Sequence, residues 1–209
     1  MYNLPKPHLS PSQYVLWKSS PAQYAKQYFQ GQASVQTKYT TFGTERHAEK
    51  EKETGEWKNE HKIECTLNCG MKLLGQLDRF QDDLKIIDYK YSKRNAKGQA
   101  PWDKVKVRQH VQFPFYNLMV REIYGTYNKV SELHWYETEL VDTESKTYEY
   151  QGCVLKELSP QKKLVSKTEP VIFSRIIEEW ELDTMKEDIK RVAKEISEAY
   201  TIYKANANA

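Results

Sequence analysis

The sequence predicts an α/β fold, a central mixed sheet flanked by helices, on three observations. Residues 71–92 hold two apolar segments around an acidic turn, the pattern of a strand pair. Residues 104–125 place Val107, Val111, Phe115, Leu118, Met119 and Ile123 at helical spacing. Near the end of the chain, Met185, Ile189, Val192, Ile196 and Tyr203 mark the apolar face of another helix.

Composition bounds the rest. At 209 residues the chain is expected to form one domain, residues 1–209, with a sizeable core. Its 39% apolar and 29% charged residues describe a folded protein with a wet surface. A net charge of +3 is too mild to be the argument for a nucleic-acid partner, so any such attraction must come from local clustering. There is no apolar run of 18 residues, and MYNLPKPHLS lacks the apolar core of a signal peptide. The expectation is a cytoplasmic protein without a membrane partner. Cys65, Cys69 and Cys153 form no CxxC pair and read as reduced thiols.

Taken in order, Pro5 and Pro7 make residues 1–8 an extended arm, and Ser10 with Pro11 and Gln13 caps a helix that buries Tyr14, Leu16 and Trp17. Ser20-Pro21 starts a second helix with a stripe of Tyr24, Tyr28 and Phe29, for which core packing outweighs base stacking. A loop over Gln30–Lys38 leads to a helix over Tyr39–Thr54, very polar after His47. Gly43 inside it predicts a backbone or a phosphate passing close by. On pattern alone His47 is a surface residue paired with Glu51, one turn on. Ile63–Leu67 reads as a strand and Asn68-Cys69-Gly70 as the turn after it.

In the central pair, Asp88 and Lys90 follow Ile86-Ile87 two apart, so they share one strand face with Cβ atoms roughly 7 Å from each other. Asp78 meets them only if the connecting loop has an odd number of residues, such as Asp82-Asp83-Leu84, or if a bulge corrects an even one. Spacing alone justifies no more than a candidate acidic site.

Beyond it, Lys93, Arg94, Lys97 and Gly98 make a cationic loop suited to a phosphate backbone, and Trp102 either stacks on a base or ribose or tucks into the core. Pro114 should kink the helix from Lys104, unless the helix breaks at Gln112–Phe113. Gln112 and Tyr116, four apart, share a face. Ser131–Val141 and Thr147–Leu158 read as strands joined by a hairpin at Asp142–Lys146, Ser159–Thr168 as a lysine-bearing loop, and Val171–Trp180 as a strand or short helix. Thr184 and Glu187 form a capping box for the last helix, and residues 205–209 read as a frayed tail.

GQLDR, IIDYK and QFPFY, in that order, resemble the G-x-x-D, D-x-K and Q-x-x-x-Y series of RecB-like nucleases, a branch of the PD-(D/E)XK superfamily. FGTERHAEKE resembles the helix that supplies a metal-binding histidine in that branch, and LSPSQYVLWKSSPAQYAKQYF resembles its opening helices, so the likeness runs from Leu9 to Tyr124. The resemblance implies a restriction-endonuclease-like core in which His47, Asp78, Asp88 and the carbonyl of Tyr89 hold Mg²⁺ or Mn²⁺. It makes Asp78, Asp88 and Lys90 catalytic, with Gln112 and Tyr116 beside them orienting the lysine or binding DNA. Lys93, Arg94, Lys97 and Trp102 would contact the DNA. Some relatives carry a four-cysteine iron-sulfur cluster; this chain has three cysteines, with Ser20 where the first often stands, and no cluster is expected.

The implied function is a metal-dependent DNA exonuclease acting on single- or double-stranded DNA and leaving 5′-phosphate ends. Its setting would be recombination, repair, phage replication or CRISPR adaptation in a bacterial or phage-infected cell, with a homo-oligomer or a recombination protein as partner. The alternatives are a catalytically silent nucleic-acid-binding or assembly subunit of the same fold, and a protein-interaction module whose acidic residues are structural.

Overall fold

The computed structural model describes residues 2–33, 36–150, 153–159 and 161–207. Helix α1 (Pro11–Ser19) starts at Ser10, whose hydroxyl accepts from the Gln13 N–H while the Gln13 side chain accepts from the Ser10 N–H at 2.7 Å. Helix α2 (Pro21–Tyr24) runs into a π-helical turn, Ala25–Phe29. There Tyr24 packs edge-on against Trp17 and beside Tyr28, so these aromatics build core, as their spacing predicts. Helix α3 (Lys38–Glu51) is capped by Thr37.

Strands β1 (Trp57–Thr66), β2 (Lys72–Gln81) and β3 (Ile86–Ser92) follow as an antiparallel meander. Helices α4 (Lys104–Arg108) and α5 (Gln112–Tyr124) carry the chain across to β4 (Val130–Asp142), which pairs with β3 in parallel. Among the described residues, strands β5 (Lys146–Tyr150) and β6 (Cys153–Leu158) pair only with each other, and β7 (Lys162–Ser166) and β8 (Val171–Ile176) both return to β4. Helix α6 (Glu179–Ala207) closes the fold. The strand order β1-β2-β3-β4-β7, with β8 also on β4, is the mixed sheet the sequence predicts.

Helix α5, against α1, α6 and one face of the sheet, carries the densest part of the core: Phe113, Phe115, Leu118, Met119 and Val120 are fully buried. Helix α3 covers the opposite face over Ile87, Tyr89, Tyr91 and Tyr136. Asn117 is buried inside α5, and its amide donates to Phe113 O and Ser131 Oγ, which ties the helix to β4.

Several expectations are corrected. The helix expected from Lys104 breaks at Gln109–Val111, so Pro114 lies in the first turn of α5, where no helical N–H is required, and causes no kink. Thr147–Leu158 is two strands rather than one, and β4 pairs with β7 and β8 in place of a hairpin with its successor. Strand β7 occupies half of the expected loop at 159–168. Thr184 is inside α6, which starts at Glu179 and stays helical to Ala207 through most of the expected frayed tail. A Cβ built on Gly43 meets no protein atom within 4 Å, so no backbone crowds it. Asn208 and Ala209 of that tail, residues 34–35 of the expected loop at 30–38, Pro160 and the Cys153 side chain lie outside the described residues.

Candidate active site

The site forms where β2 and β3 part. The two strands are joined by the three residues Asp82-Asp83-Leu84: Gln81 N–H donates to Lys85 O and Leu84 N–H to Gln81 O, with Leu84 in the left-handed region at φ 65°. That odd count sets Phe80 against Ile86 and Arg79 against Ile87, and the same register brings Asp78 across from Asp88. There the ladder ends. The Tyr89 N–H donates to Asp78 Oδ2 at 2.6 Å instead of to a backbone carbonyl. On the other side of β2, the pairing with β1 skips the step between Glu60 and Asp78, and Glu60 takes φ 46°. Asp78 therefore sits at a break in both ladders, where groups from the two faces of the sheet reach one point.

From α3 comes His47, its Nδ1 3.1 Å from Glu60 Oε1 and 3.4 Å from Asp78 Oδ1. From β3 come Asp88 and Lys90, with Lys90 Nζ 2.9 Å from Asp88 Oδ1. From α5 comes Gln112, whose Oε1 accepts from Lys90 Nζ at 3.1 Å. Tyr116, one turn on, donates its hydroxyl to Gln76 O at 2.9 Å and packs on Gly75. The sheet thus gathers His47, Asp78, Asp88, Lys90, Gln112 and Tyr116 around the split.

The electrostatics follow from burial and sign. Burial, and secondarily the charge of Asp88, push the Asp78 carboxyl up to about 7. Burial also works against charge on Asp88, but Lys90 and His110 outweigh it and hold that carboxyl below its ordinary range. For Lys90 burial opposes the ammonium, while Asp88 and Asp78 overcome it and raise its pKa. His47 behaves likewise: burial lowers it, and Glu60 with Asp78 more than reverse this. The hydrogen bond from His47 in turn lowers Glu60.

Two residues of the site have no place in the sequence motifs. Glu60 joins His47 and Asp78, and one ligand atom from each of the three lies within 4.8 Å of the others. His110 stands two residues before Gln112, with Nε2 3.5 Å from Asp88 Oδ2. Both atoms are buried and have no hydrogen-bond partner among the described residues. An unpaired glutamate on a strand and a histidine next to a motif glutamine are the only sequence signals for them, and neither is specific.

The donor set fits a hard divalent cation. One imidazole and two carboxylate oxygens converge, and a third carboxylate oxygen nearby lacks a partner. The convergent group is His47, Glu60 and Asp78; Asp88, expected among the ligands, turns one oxygen to Lys90 and the other toward His110. The Tyr89 side chain is buried beside Ile87 and Tyr136, and its N–H already serves Asp78.

The cationic loop is partly engaged in the fold. Arg94 Nε donates to Glu137 at 2.8 Å and its Nη1 to Gly98 O, and Lys93 lies over the Tyr39 ring. Lys97 is exposed. Trp102 is half-buried against the core, edge-on to His110 at 5.2 Å between ring centroids.

Comparison with known proteins agrees with this geometry. Residues 4–208 match the model of the PD-(D/E)XK nuclease superfamily. Among solved structures, an alkaline exonuclease from Laribacter hongkongensis superposes with a TM-score of 0.52 at 10% identity, over 97% of this chain and 94% of that one. The structure of SSO0001 gives a TM-score of 0.42 at 12% identity, over 88% of this chain and 74% of that one. No curated protein matches the chain. With nearly every residue inside the family match and the acidic pair and lysine of the motifs gathered where the strands part, the chain belongs to the PD-(D/E)XK nuclease superfamily.

Proposed function

We propose that the protein is a divalent-metal-dependent deoxyribonuclease that hydrolyses phosphodiester bonds, most simply as an exonuclease leaving 5′-phosphate ends. The observation that carries this is the split between β2 and β3, where His47, Glu60 and Asp78 converge beside the Asp88–Lys90 pair. His47, Glu60 and Asp78, with Asp88 and the Tyr89 carbonyl close by, are the residues that would hold Mg²⁺ or Mn²⁺. When bound, the cation supplies charge stabilisation at the phosphate and an acidified water.

The chain's own groups have distinct tasks. Lys90 is kept as an ammonium by two carboxylates, so it cannot take a proton from water. Its role is to orient the attacking water and to neutralise charge that grows on the phosphate oxygens. Asp88 and Gln112 fix its Nζ from two sides. Tyr116, braced on the β2 backbone, sets the angle of the helix from which Gln112 reaches. Lys93, Lys97 and Trp102 form the side from which the strand approaches, with Arg94 stiffening that loop through Glu137. The match to a nuclease superfamily supports hydrolysis of nucleic acid, and the cleavage test below decides between DNA and RNA. Recombination, repair, phage replication or CRISPR adaptation in the cytoplasm, alone as an oligomer or with a recombination protein, remains the setting in which such an activity would serve.

The test is cleavage of end-labelled single- and double-stranded DNA and RNA with Mg²⁺, Mn²⁺ or EDTA. Cleavage should require metal and DNA, and should fall at least about 100-fold in Asp88→Ala and Lys90→Ala, with Lys90→Ala losing turnover far more than DNA affinity. DNA binding without metal-dependent cleavage would leave a silent binding subunit in place of the enzyme.

A further inference from the structure

A groove of about 810 Å³ opens between α1, the π-helical turn and the segment from Pro101 to Gln112. Its walls are Leu16, Tyr28 and Trp102, and the amides of Gln27, Gln109 and Gln112 line it; among the described residues no acidic one does. Two residues of its lining touch the candidate active site. Gln112 holds Lys90 Nζ at 3.1 Å, and His110 faces Asp88 at 3.5 Å. A second bay of about 540 Å³ adjoins it, shares Pro101 and Lys106 with it, and is lined by Lys93, Arg94 and Asp103, the last with its carboxylate accepting from the Lys106 N–H at 2.8 Å.

We infer that the groove is a nucleobase pocket, which takes one unpaired base of the substrate strand next to the phosphate being cut, while the adjoining bay takes a neighbouring phosphate. The chemistry separates the two cavities. A phosphate needs cations, and Lys93 and Arg94 line the bay alone, while Lys106 stands on the border of both cavities with its Nζ turned to Pro101 O. The groove offers instead two aromatic side chains, an aliphatic wall and rotatable amides that can meet donors or acceptors on any base edge, which suits a heterocycle without selecting its identity. Its inner wall is made by the residues that touch Asp88 and Lys90, so the pocket and the reacting phosphate are consecutive along one strand. A base seated there cannot stay in a duplex. The enzyme accordingly takes single strands or frayed ends, and a paired end must open before it is cut.

This rests on the nuclease reading, and the experiment keeps the two apart. Binding of single-stranded oligonucleotides, each with one abasic position scanned along the strand, is measured by fluorescence anisotropy on Lys90→Ala, and cleavage of the same set on the unaltered protein. One abasic position should weaken binding about 10-fold, the size expected for one stacked base. Tyr28→Ala should weaken the intact strand by a similar factor and abolish the effect of that abasic position, whereas Tyr28→Phe should keep both. Because Tyr28 also packs on Tyr24, thermal melting accompanies each variant, and exposed Gln109→Ala gives a partial loss of the same positional effect without risk to the core. Metal-dependent cleavage with a flat abasic scan, or a positional effect untouched by Tyr28→Ala and Gln109→Ala, overturns the pocket alone. Failure of the unaltered protein to bind or cut any nucleic acid overturns the nuclease reading and the pocket with it.

Discussion

Asp78 carries the largest electrostatic cost of the site, because it is enclosed by protein and faces a second carboxylate. Its pKa of about 7 when folded, against an ordinary 3.8, means the folded chain holds this proton more tightly than the unfolded chain. Stability from this group is complete at pH values below the lower number and is lost as pH rises to the higher one. His47, also raised, adds a loss of the same sign above its ordinary value of 6.5. Metal-free protein should therefore unfold at lower urea at pH 8 than at pH 5, with Asp78 alone contributing on the order of 3 kcal/mol across that window. Asp78→Asn, which keeps an acceptor for the Tyr89 N–H, should flatten that slope; an unchanged slope would show that the proton is held elsewhere. At this scale two-residue and four-residue periodicities made legible only that Asp88 and Lys90, and Gln112 and Tyr116, share a face; what singled them out with Asp78 was the motif resemblance. Glu60 was not, because its place depends on a missing ladder step and a left-handed backbone that no periodicity encodes. His110 was not either, because only the break between α4 and α5 turns it toward Asp88.

Among elements, the seating of α5 on β2 decides where Gln112 lies. Gly75 makes that contact: a Cβ there would come within 2.8 Å of Tyr116 Cε1 and 3.2 Å of Met119 Sδ. Gly75→Ala should lower the melting temperature by several degrees, for a cost of about 1–3 kcal/mol, and should slow cleavage by displacing Gln112 from Lys90. Adding Tyr116→Leu to Gly75→Ala should recover stability but not cleavage. Full activity in Gly75→Ala would mean that α5 does not position the lysine. The glycine of the G-x-x-D motif is thus explained by packing, not by backbone conformation. The hairpin β2–β3 was readable because its register turns on a local three-residue loop. The partners of β4 were not, because β7 and β8 return to it from 20 to 46 residues away along the chain and local alternation does not name a distant neighbour.

For the molecule as a whole, a cation that binds only the folded chain raises its stability by mass action. At 100 times its dissociation constant, Mn²⁺ or Mg²⁺ should add about 2.7 kcal/mol, a rise of roughly 5–10 °C over EDTA, and Asp78→Ala should remove the rise. An equal rise in that variant would place the ion elsewhere. That helices flank the sheet was expected from the sequence, but which helix covers which face was not, nor was the meeting of both faces at one point, because it needs the sheet to open.

The opening has a second end. Where β3 has left β2, Leu9 takes its place: its N–H bonds Lys72 O at 2.9 Å, its carbonyl receives the Leu74 N–H at 3.2 Å, and its side chain is wholly enclosed. The residues before α1 therefore act as a doorstop wedged into the gap whose far corner is Asp78. Trimming or re-anchoring that stretch should loosen cation and substrate together.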